Sequence, residues 1–121
     1  MKAASKKILI ADDDSGIVDS LTMMLEMMGY DVDFTYDGAT VPDAAQKHAD
    51  LILLDIFMSG HDGREICKKL KSNSETKNIP VLMISASHEI KQSAIDAGAD
   101  DFLEKPFEMN ALITKVNRLV H

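Results

Sequence analysis

The sequence predicts an α/β domain in which an open, doubly wound sheet of five parallel strands is covered by helices on both faces. Three observations support this fold. Five short apolar runs alternate along the chain with segments of helical periodicity. The runs are almost continuously aliphatic, which is typical of parallel strands buried on both faces. No repeat, low-complexity segment or linker-like stretch interrupts the 121 residues, so we expect residues 1–121 to form one domain, with a flexible N-terminus at 1–5.

The predicted strands share a high aliphatic content and a length of five or six residues. In chain order they are KILIA (7–11), DVDFTY (31–36), DLILLD (50–55), PVLMIS (80–85) and DFLEK (101–105). Right-handed crossover connections place the intervening helices on the two faces of such a sheet.

Two of the helices have clear apolar faces at helical spacing. The first uses Ile17, Leu21, Met24, Leu25 and Met28, begins at an Asp14 or Ser15 N-cap and ends at Gly29. We expect its paired methionines to fill the core. The last helix uses Met109, Leu112, Ile113, Val116, Leu119 and Val120, and weaker helical segments lie near 38–48, 63–72 and 88–97.

The composition argues against several classes of function and structure. The net charge of −7 disfavours direct nucleic acid binding, which depends on clustered Lys and Arg. Cys67 is the only cysteine, so a disulfide framework is excluded. The sequence has no apolar signal stretch and no apolar run near the ~20 residues that a membrane span needs. We therefore expect a cytoplasmic protein without membrane binding.

Polar side chains follow the predicted strands where each strand ends. Asp12 and Asp13 follow the first strand, Asp55 ends the third, Ser85 ends the fourth and Lys105 follows the fifth. Ligands of doubly wound sheets bind at this edge. Two carboxylates about 4 Å apart repel by roughly 4 kcal/mol at an effective dielectric near 20, so the cluster is either splayed into water or held by a cation.

Asp14, the third carboxylate of the run, is better explained as a helix N-cap than as a metal ligand.

Four motifs in this order resemble the receiver domain of two-component response regulators, over nearly the whole chain. They are ILIADDD (8–14), LILLDIFMSGHDG (51–63), VLMISAS (81–87) and GADDFLEKPF (98–107). The resemblance implies the flavodoxin-like strand order 2-1-3-4-5. It also implies a cis peptide bond between Lys105 and Pro106, although only ~5% of X–Pro bonds in folded proteins are cis.

The resemblance further implies a phosphoacceptor site. Asp55 would take a phosphoryl group from a sensor histidine kinase or a histidine phosphotransfer protein. Mg²⁺, with Mn²⁺ as an alternative ion, would be held by Asp12, Asp13, Asp55 and the backbone carbonyl of Phe57. Carboxylate and carbonyl oxygens are the ligands that hard divalent cations prefer. Such a domain catalyses only its own phosphotransfer and autodephosphorylation, so it is not an enzyme acting on a separate substrate.

A switch is implied as well. Ser85 and Lys105 would contact the phosphoryl oxygens, and Phe102 would reorient on activation. The surface formed by the segment near 88–97, the fifth strand and the last helix would then bind an output domain, an effector protein or a second receiver.

Several positions depart from the usual receiver pattern without removing a catalytic group. Ser59 stands where proline is common, His61 replaces an apolar residue, and Phe102 lacks the hydroxyl of the tyrosine that is common at this position. The histidines at 48, 61, 88 and 121 have no metal-ligand spacing with Cys67, so they are interpreted as surface residues and Cys67 as a packing residue.

Three alternative functions can be considered for the same residues. A pseudo-receiver would be an interaction module that is not phosphorylated, and it typically lacks one of the acidic or Lys105-like groups. A Mg²⁺-dependent phosphohydrolase of the haloacid dehalogenase type needs an aspartate two residues after its nucleophile, where this chain has Phe57. A flavodoxin-type flavin module needs a Gly/Ser/Thr-rich phosphate cradle in place of ADDDSG.

Overall fold

The structure is a computed structural model that describes residues 6–45, 49–58 and 60–120. Its main sheet has five parallel strands: β1 (Lys7–Ala11), β2 (Asp31–Thr35), β3 (Leu51–Asp55), β4 (Val81–Ser85) and β5 (Asp101–Glu104). Their spatial order is β2-β1-β3-β4-β5. Both the five-stranded parallel sheet and the order implied by the resemblance are therefore confirmed.

In the described residues, four α-helices connect these strands and a fifth follows β5. They are α1 (Ser15–Met27), α2 (Val41–Ala45), α3 (Gly63–Ser72), α4 (Lys91–Asp96) and α5 (Met109–Leu119). Short 3₁₀ turns, Gly38–Thr40 and His88–Ile90, precede α2 and α4. None of the helices in the described ranges combines the length and the apolar character that crossing a bilayer requires.

The alternation of strand side chains divides the core into two layers. Ile8, Ile10, Leu53 and their neighbours on one sheet face pack against α1 and α5. Leu9, Leu54, Met83 and their neighbours on the other face pack against α2, α3 and α4. The aliphatic character of both strand faces thus has its physical reason, because helices cover both sides of the sheet.

The boundaries of α1 follow the sequence signals. Asp14 caps the helix by accepting hydrogen bonds from the backbone N–H groups of Gly16 and Ile17 at 2.9 and 3.2 Å. Gly29 follows the helix with a φ of 94°, which an L side chain rarely adopts. Both predictions for this helix are confirmed.

The expected role of the methionines is wrong in large part. Met23, Met27 and Met28 on α1 and Met109 on α5 are exposed, and only Met24 packs partly against the core. Val18, Leu21 and Leu25 bury the inner face of α1 instead, because they point at the sheet while the methionines lie on the flanks.

A hairpin of two short antiparallel strands, Phe57–Met58 and His61–Asp62, follows β3 and was not predicted from the sequence. Residues 1–5, Ser59, His48 and His121 lie outside the described residues, so the predictions for them stay predictions.

Candidate functional site

The acidic residues at the carboxyl edge of the sheet converge. Asp12 and Asp13 follow β1, and Asp55 ends the adjacent strand β3. One carboxylate oxygen from each lies within 4.8 Å of the others. Asp12 is almost fully buried, Asp55 is half-buried and Asp13 is exposed, so the cluster is open to solvent on one side.

Lys105 supplies the positive charge of the cluster. Its Nζ lies 3.3 Å from Oδ2 of Asp12 and 3.6 Å from Oδ1 of Asp55. The residue follows β5 directly, and its backbone N–H donates to the carbonyl of Ser85 at 2.7 Å. The Lys105–Pro106 peptide bond is cis, as the resemblance implies. One ammonium therefore faces three carboxylates, which leaves the site with a net negative charge.

Burial, together with the neighbouring charges, perturbs the pKa of the candidate nucleophile Asp55. Burial, with a further contribution from the Asp12 carboxylate, raises the pKa of Asp55 from 3.8 to about 6, although Lys105 acts in the opposite direction. An additional cation at the site would reverse much of this shift, because it favours the ionised carboxyl. The site thus has the electrostatic character of a cation-binding pocket.

Asp14 is not part of the cluster. Its side chain caps α1, while its backbone N–H donates to Oδ1 of Asp12 at 2.9 Å. That bond helps to orient the Asp12 carboxylate towards Lys105. The sequence-based assignment of Asp14 to the helix cap is confirmed.

Ser85 and Phe102 lie on neighbouring strands beside the cluster. Ser85 is buried at the end of β4, where its Oγ accepts a hydrogen bond from the backbone N–H of Ser87 at 3.0 Å. Phe102 is buried on β5 in the same core layer as Met83 and Ala94 of α4. The hydroxyl and the ring are thus both buried, and the ring lies in the core layer that α4 covers.

The segment after β3 makes side-chain contacts that the sequence did not predict. Phe57 is exposed, and its ring lies 5.8 Å from the guanidinium of Arg64. Arg64 is held by Asp62, with its Nε 2.9 Å from Oδ1 and its Nη2 2.7 Å from Oδ2. Its Nη1 also donates to Oγ of Ser93 on α4 at 3.1 Å. The start of α3 is therefore tied to α4.

Gly63, the first residue of α3, has a steric role beside Asp55. A Cβ at this position would lie 2.6 Å from the backbone carbonyl oxygen of Asp55 and 2.9 Å from Cα of Ile56. No side chain fits there without moving the end of β3. The Asp-Gly pair at 62–63 was the available sequence signal for this close approach.

The remaining residues considered in the sequence are two histidines and the cysteine. His61 and His88 are exposed, with carboxylates of Asp37 and Glu104 at 4.0 and 3.2 Å. Cys67 is buried on α3, and burial raises its thiol pKa to about 11. The prediction of surface histidines and a packing cysteine is confirmed for these three residues.

Comparison with known proteins identifies the family. The model of the response regulator receiver domain matches residues 8–117. The DNA-binding dual master transcriptional regulator RpaA of Synechocystis is 41% identical over 117 residues, which cover 94% of this chain and 48% of RpaA. The response regulator MprA of Mycobacterium bovis is 34% identical over 119 residues, covering 96% of this chain and 51% of MprA. The chain thus spans about half the length of these curated relatives.

Solved structures agree with this assignment. The chemotaxis protein CheY4 of Vibrio cholerae superimposes with a TM-score of 0.88 at 33% identity, over 96% of this chain and 99% of CheY4. The receiver domain of the Francisella response regulator 1452 gives a TM-score of 0.87 at 34% identity, over 96% and 97% of the two chains. With its five-stranded sheet of order 2-1-3-4-5 and the family match over residues 8–117, this chain belongs to the response regulator receiver domain family.

Proposed function

We propose that Asp55 is the phosphoacceptor of a Mg²⁺-dependent signalling switch. The observation that carries this proposal is the convergence of the carboxylates of Asp12, Asp13 and Asp55 within 4.8 Å, next to the Lys105 ammonium. Asp55 is the only one of the three that ends a strand, so it faces the opening from a rigid position.

The donor set suits Mg²⁺. Three carboxylate oxygens within reach of one another are hard ligands, and Mg²⁺ completes its octahedron with waters or with substrate oxygens. We propose Asp12, Asp13, Asp55 and the Phe57 carbonyl as its protein ligands, with Mn²⁺ as an alternative ion. When bound, Mg²⁺ would supply positive charge to the carboxylates and to the transferring phosphoryl group.

Asp55, Lys105 and Ser85 have different roles in the proposed phosphotransfer. An oxygen of ionised Asp55 attacks the phosphorus of a phosphohistidine, the P–N bond breaks, and the histidine ring leaves with the bonding electrons and takes up a proton. Lys105 is already 3.6 Å from Oδ1 of Asp55, so its ammonium is placed to contact a phosphoryl oxygen. Ser85 would donate its hydroxyl hydrogen to another oxygen, since its Oγ acts as the acceptor in its present hydrogen bond with the Ser87 backbone N–H.

The phosphorylated state ends by hydrolysis. A water attacks the phosphorus, the bond to Asp55 breaks, and phosphate is released with the carboxylate regenerated. We propose that this autodephosphorylation uses the same charges as the forward step and that the domain turns over no separate substrate.

Ser85 and Phe102 carry the proposed switch. Movement of the Ser85 hydroxyl towards the phosphoryl group would open space beside it, and the Phe102 ring would move into that space. The surface of α4, β5 and α5 would then bind its target, which we propose to be an output domain, an effector protein or a second receiver. The DNA-binding activity in the name of RpaA lies outside this proposal, because we expect no nucleic acid binding by this domain.

A sensor histidine kinase or a histidine phosphotransfer protein is the proposed donor. We also propose that residues 1–121 make up one receiver domain. Its cytoplasmic location stays a prediction.

The alternatives fit the site less well. A phosphohydrolase of the haloacid dehalogenase type would need an acid at residue 57, where an exposed phenylalanine contacts Arg64. A pseudo-receiver would lack part of the charge set, whereas Asp12, Asp13, Asp55 and Lys105 are all present and close together.

Phosphorylation by a small donor tests the proposal. The protein is incubated with acetyl phosphate and Mg²⁺, and its intact mass is measured. We expect the wild type to gain one phosphoryl group, which EDTA prevents, and Asp55→Asn to gain none. Asp50→Asn is a matched control at the opposite end of β3, and it should be labelled like the wild type. Equal labelling of Asp55→Asn would refute the assignment.

A further inference from the structure

We propose that Arg64 is a positioning residue that couples the Mg²⁺ and phosphoryl site to α4 through its hydrogen bond with Ser93. The inference rests on the proposed function, because it takes the backbone carbonyl of Phe57 as a Mg²⁺ ligand. It adds a connection between the site and α4 that does not pass through Ser85 and Phe102. The two connections are therefore separable by substitution.

The guanidinium of Arg64 is held in one orientation by its neighbours. Its Nε donates to Oδ1 of Asp62 at 2.9 Å and its Nη2 donates to Oδ2 at 2.7 Å, while its Cζ lies 5.8 Å from the centre of the Phe57 ring. These hydrogen bonds lower the pKa of Asp62, so the carboxylate is charged at neutral pH. Only 27% of the Arg64 side chain is exposed. A bidentate pair of this kind has a defined geometry, unlike a solvated surface cation.

The far side of the same guanidinium reaches α4. Nη1 of Arg64 donates to Oγ of Ser93 at 3.1 Å, and the Ser93 hydroxyl donates in turn to the backbone carbonyl of Ile90 at 2.9 Å. The hydroxyl is thus used both as an acceptor and as a donor, which fixes its direction. A half-buried hydrogen bond of defined geometry therefore joins α3 to α4.

Few other contacts hold α4 in place. The helix has six residues, of which only Ala94 is buried, and its N-cap Ile90 makes no side-chain capping bond. Within the described ranges, the bond between Arg64 and Ser93 is the one side-chain hydrogen bond that joins Lys91–Asp96 to another element. An element with few buried contacts is easily displaced, so this bond has a large share in setting the position of α4.

The near end of the network lies at the phosphoacceptor site. Phe57 pairs with Asp62 in the antiparallel hairpin after β3, so the backbone of the proposed carbonyl ligand is fixed against the residue that holds Arg64. Gly63 packs on the backbone carbonyl of Asp55, where a Cβ would lie 2.6 Å away. The start of α3 therefore follows any shift of the hairpin or of the end of β3.

The bond between Arg64 and Ser93 closes a loop between the two segments that leave the site. Arg64 lies on the segment that begins at Asp55, and Ser93 lies on the segment that begins at Ser85. The strands that end in Asp55 and Ser85 are adjacent in the sheet. Because coupling between two sites is reciprocal, a network that transmits Mg²⁺ binding to α4 must also let a change on α4 alter the Mg²⁺ affinity. Ser93 therefore tests the network from its far end.

Charge and position give opposite expectations for a substitution of Arg64. By charge alone, removal of a cation near an acidic site strengthens Mg²⁺ binding, because a repulsion is lost. By position, the same substitution frees the hairpin and weakens Mg²⁺ binding. Lysine keeps the charge, but its ammonium does not reproduce a rigid fork that contacts both Asp62 and Ser93. Arg64→Lys should therefore resemble Arg64→Ala rather than the wild type.

Calorimetric titration with Mg²⁺ tests the inference on the whole chain. We expect Arg64→Ala and Arg64→Lys to weaken Mg²⁺ binding about two- to tenfold, and Ser93→Ala to weaken it about twofold or more. The double variant Arg64→Ala/Ser93→Ala should bind like Arg64→Ala, because the second substitution removes a bond that is already lost. Lys68→Ala is the matched control, since it removes the same charge one turn further along α3, where Lys68 contacts Glu65. It should bind Mg²⁺ at least as tightly as the wild type.

Backbone amide NMR measures whether the change reaches α4. Addition of Mg²⁺ and beryllofluoride should shift the amide signals of Lys91–Asp96 in the wild type. In Arg64→Ala and Ser93→Ala these shifts should be largely lost, while the shift at Phe102 is retained. A purely structural role of Arg64 would alter the starting spectrum of α4 but leave the Mg²⁺ affinity unchanged, and that outcome refutes the coupling.

Two further results would overturn the inference: a Mg²⁺ affinity of Arg64→Ala at or above that of the wild type, or wild-type affinity of Arg64→Lys. Failure of the proposed function is distinguishable from these results. If acetyl phosphate labels Asp55 in every variant and the Mg²⁺ affinities are equal, only the role of Arg64 is refuted. If Arg64→Ala and Arg64→Lys weaken Mg²⁺ binding but no protein is labelled at Asp55, the phosphoacceptor assignment fails and the positioning role is supported.

Discussion

Replacing Asp55 by asparagine should stabilise the metal-free domain at neutral pH. In the folded protein the pKa of Asp55 is raised from 3.8 to about 6 by burial and by the Asp12 carboxylate. A folded-state pKa above the unfolded value means that the folded state binds the proton more tightly, so the contribution to stability is present at low pH and is lost as pH rises through about 6. At pH 7 the ionised carboxylate therefore opposes folding.

The size of the effect follows from the shift. A pKa raised from 3.8 to about 6 corresponds to about 3 kcal/mol, so Asp55→Asn should raise the free energy of unfolding by about that amount at pH 7. At pH 4 most of this difference should vanish, leaving less than about 1 kcal/mol, because Asp55 is then protonated in the folded wild type.

Urea unfolding followed by circular dichroism, in EDTA and at both pH values, measures the two differences. Asp50→Asn, which neutralises a carboxylate outside the acidic cluster, is again the matched control. A variant that is less stable than the wild type at pH 7, or a stabilisation of equal size at pH 4 and pH 7, would refute the electrostatic description of the site.

Three further predictions concern the neighbours of Asp55. Asp13→Ala should weaken Mg²⁺ binding strongly in calorimetric titration. Asp14→Ala should leave the Mg²⁺ affinity near the wild-type value and lower stability by about 0.5–2 kcal/mol through loss of the helix cap. Equal Mg²⁺ affinities of Asp13→Ala and the wild type would show that Asp13 is not a metal ligand. Ser85→Ala should retain Mg²⁺ binding but reduce the chemical-shift changes that beryllofluoride causes around Phe102, and undiminished changes would exclude the hydroxyl as the coupling group. Gly63→Ala should lower the melting temperature, since its Cβ would stand 2.6 Å from a backbone oxygen of β3, and an unchanged melting temperature would show that the start of α3 moves away from β3 at little cost.

Much of the fold was predictable because buried strands are rich in aliphatic residues. The aliphatic runs ending at Ala11 and Asp55 are buried between helix layers, and the polar residue that follows or ends each run marks the edge of the sheet. Since parallel strands end at a common edge, Asp12 could be expected near Asp55 before any coordinates were known.

Other features depend on contacts that periodicity does not encode. Met28 falls on the apolar period of α1, yet it is exposed because the sheet already contacts Val18, Leu21 and Leu25. The interaction of Arg64 with Asp62 and Ser93 joins residues from α3, the hairpin and α4. No local pattern predicts that set. Most X–Pro bonds in folded proteins are trans, so the cis bond before Pro106 could be predicted only from the family resemblance.

Borohydride trapping tests the central claim most directly, because it converts a phosphorylated aspartate to homoserine and so marks the residue itself. The protein is phosphorylated with acetyl phosphate and Mg²⁺, reduced with borohydride, digested and sequenced by tandem mass spectrometry. Our account predicts homoserine at residue 55, dependent on both Mg²⁺ and the phosphodonor, and intact aspartate at residues 12 and 13. Homoserine at residue 12 or 13, or no homoserine in a protein that has gained a phosphoryl group, would contradict it.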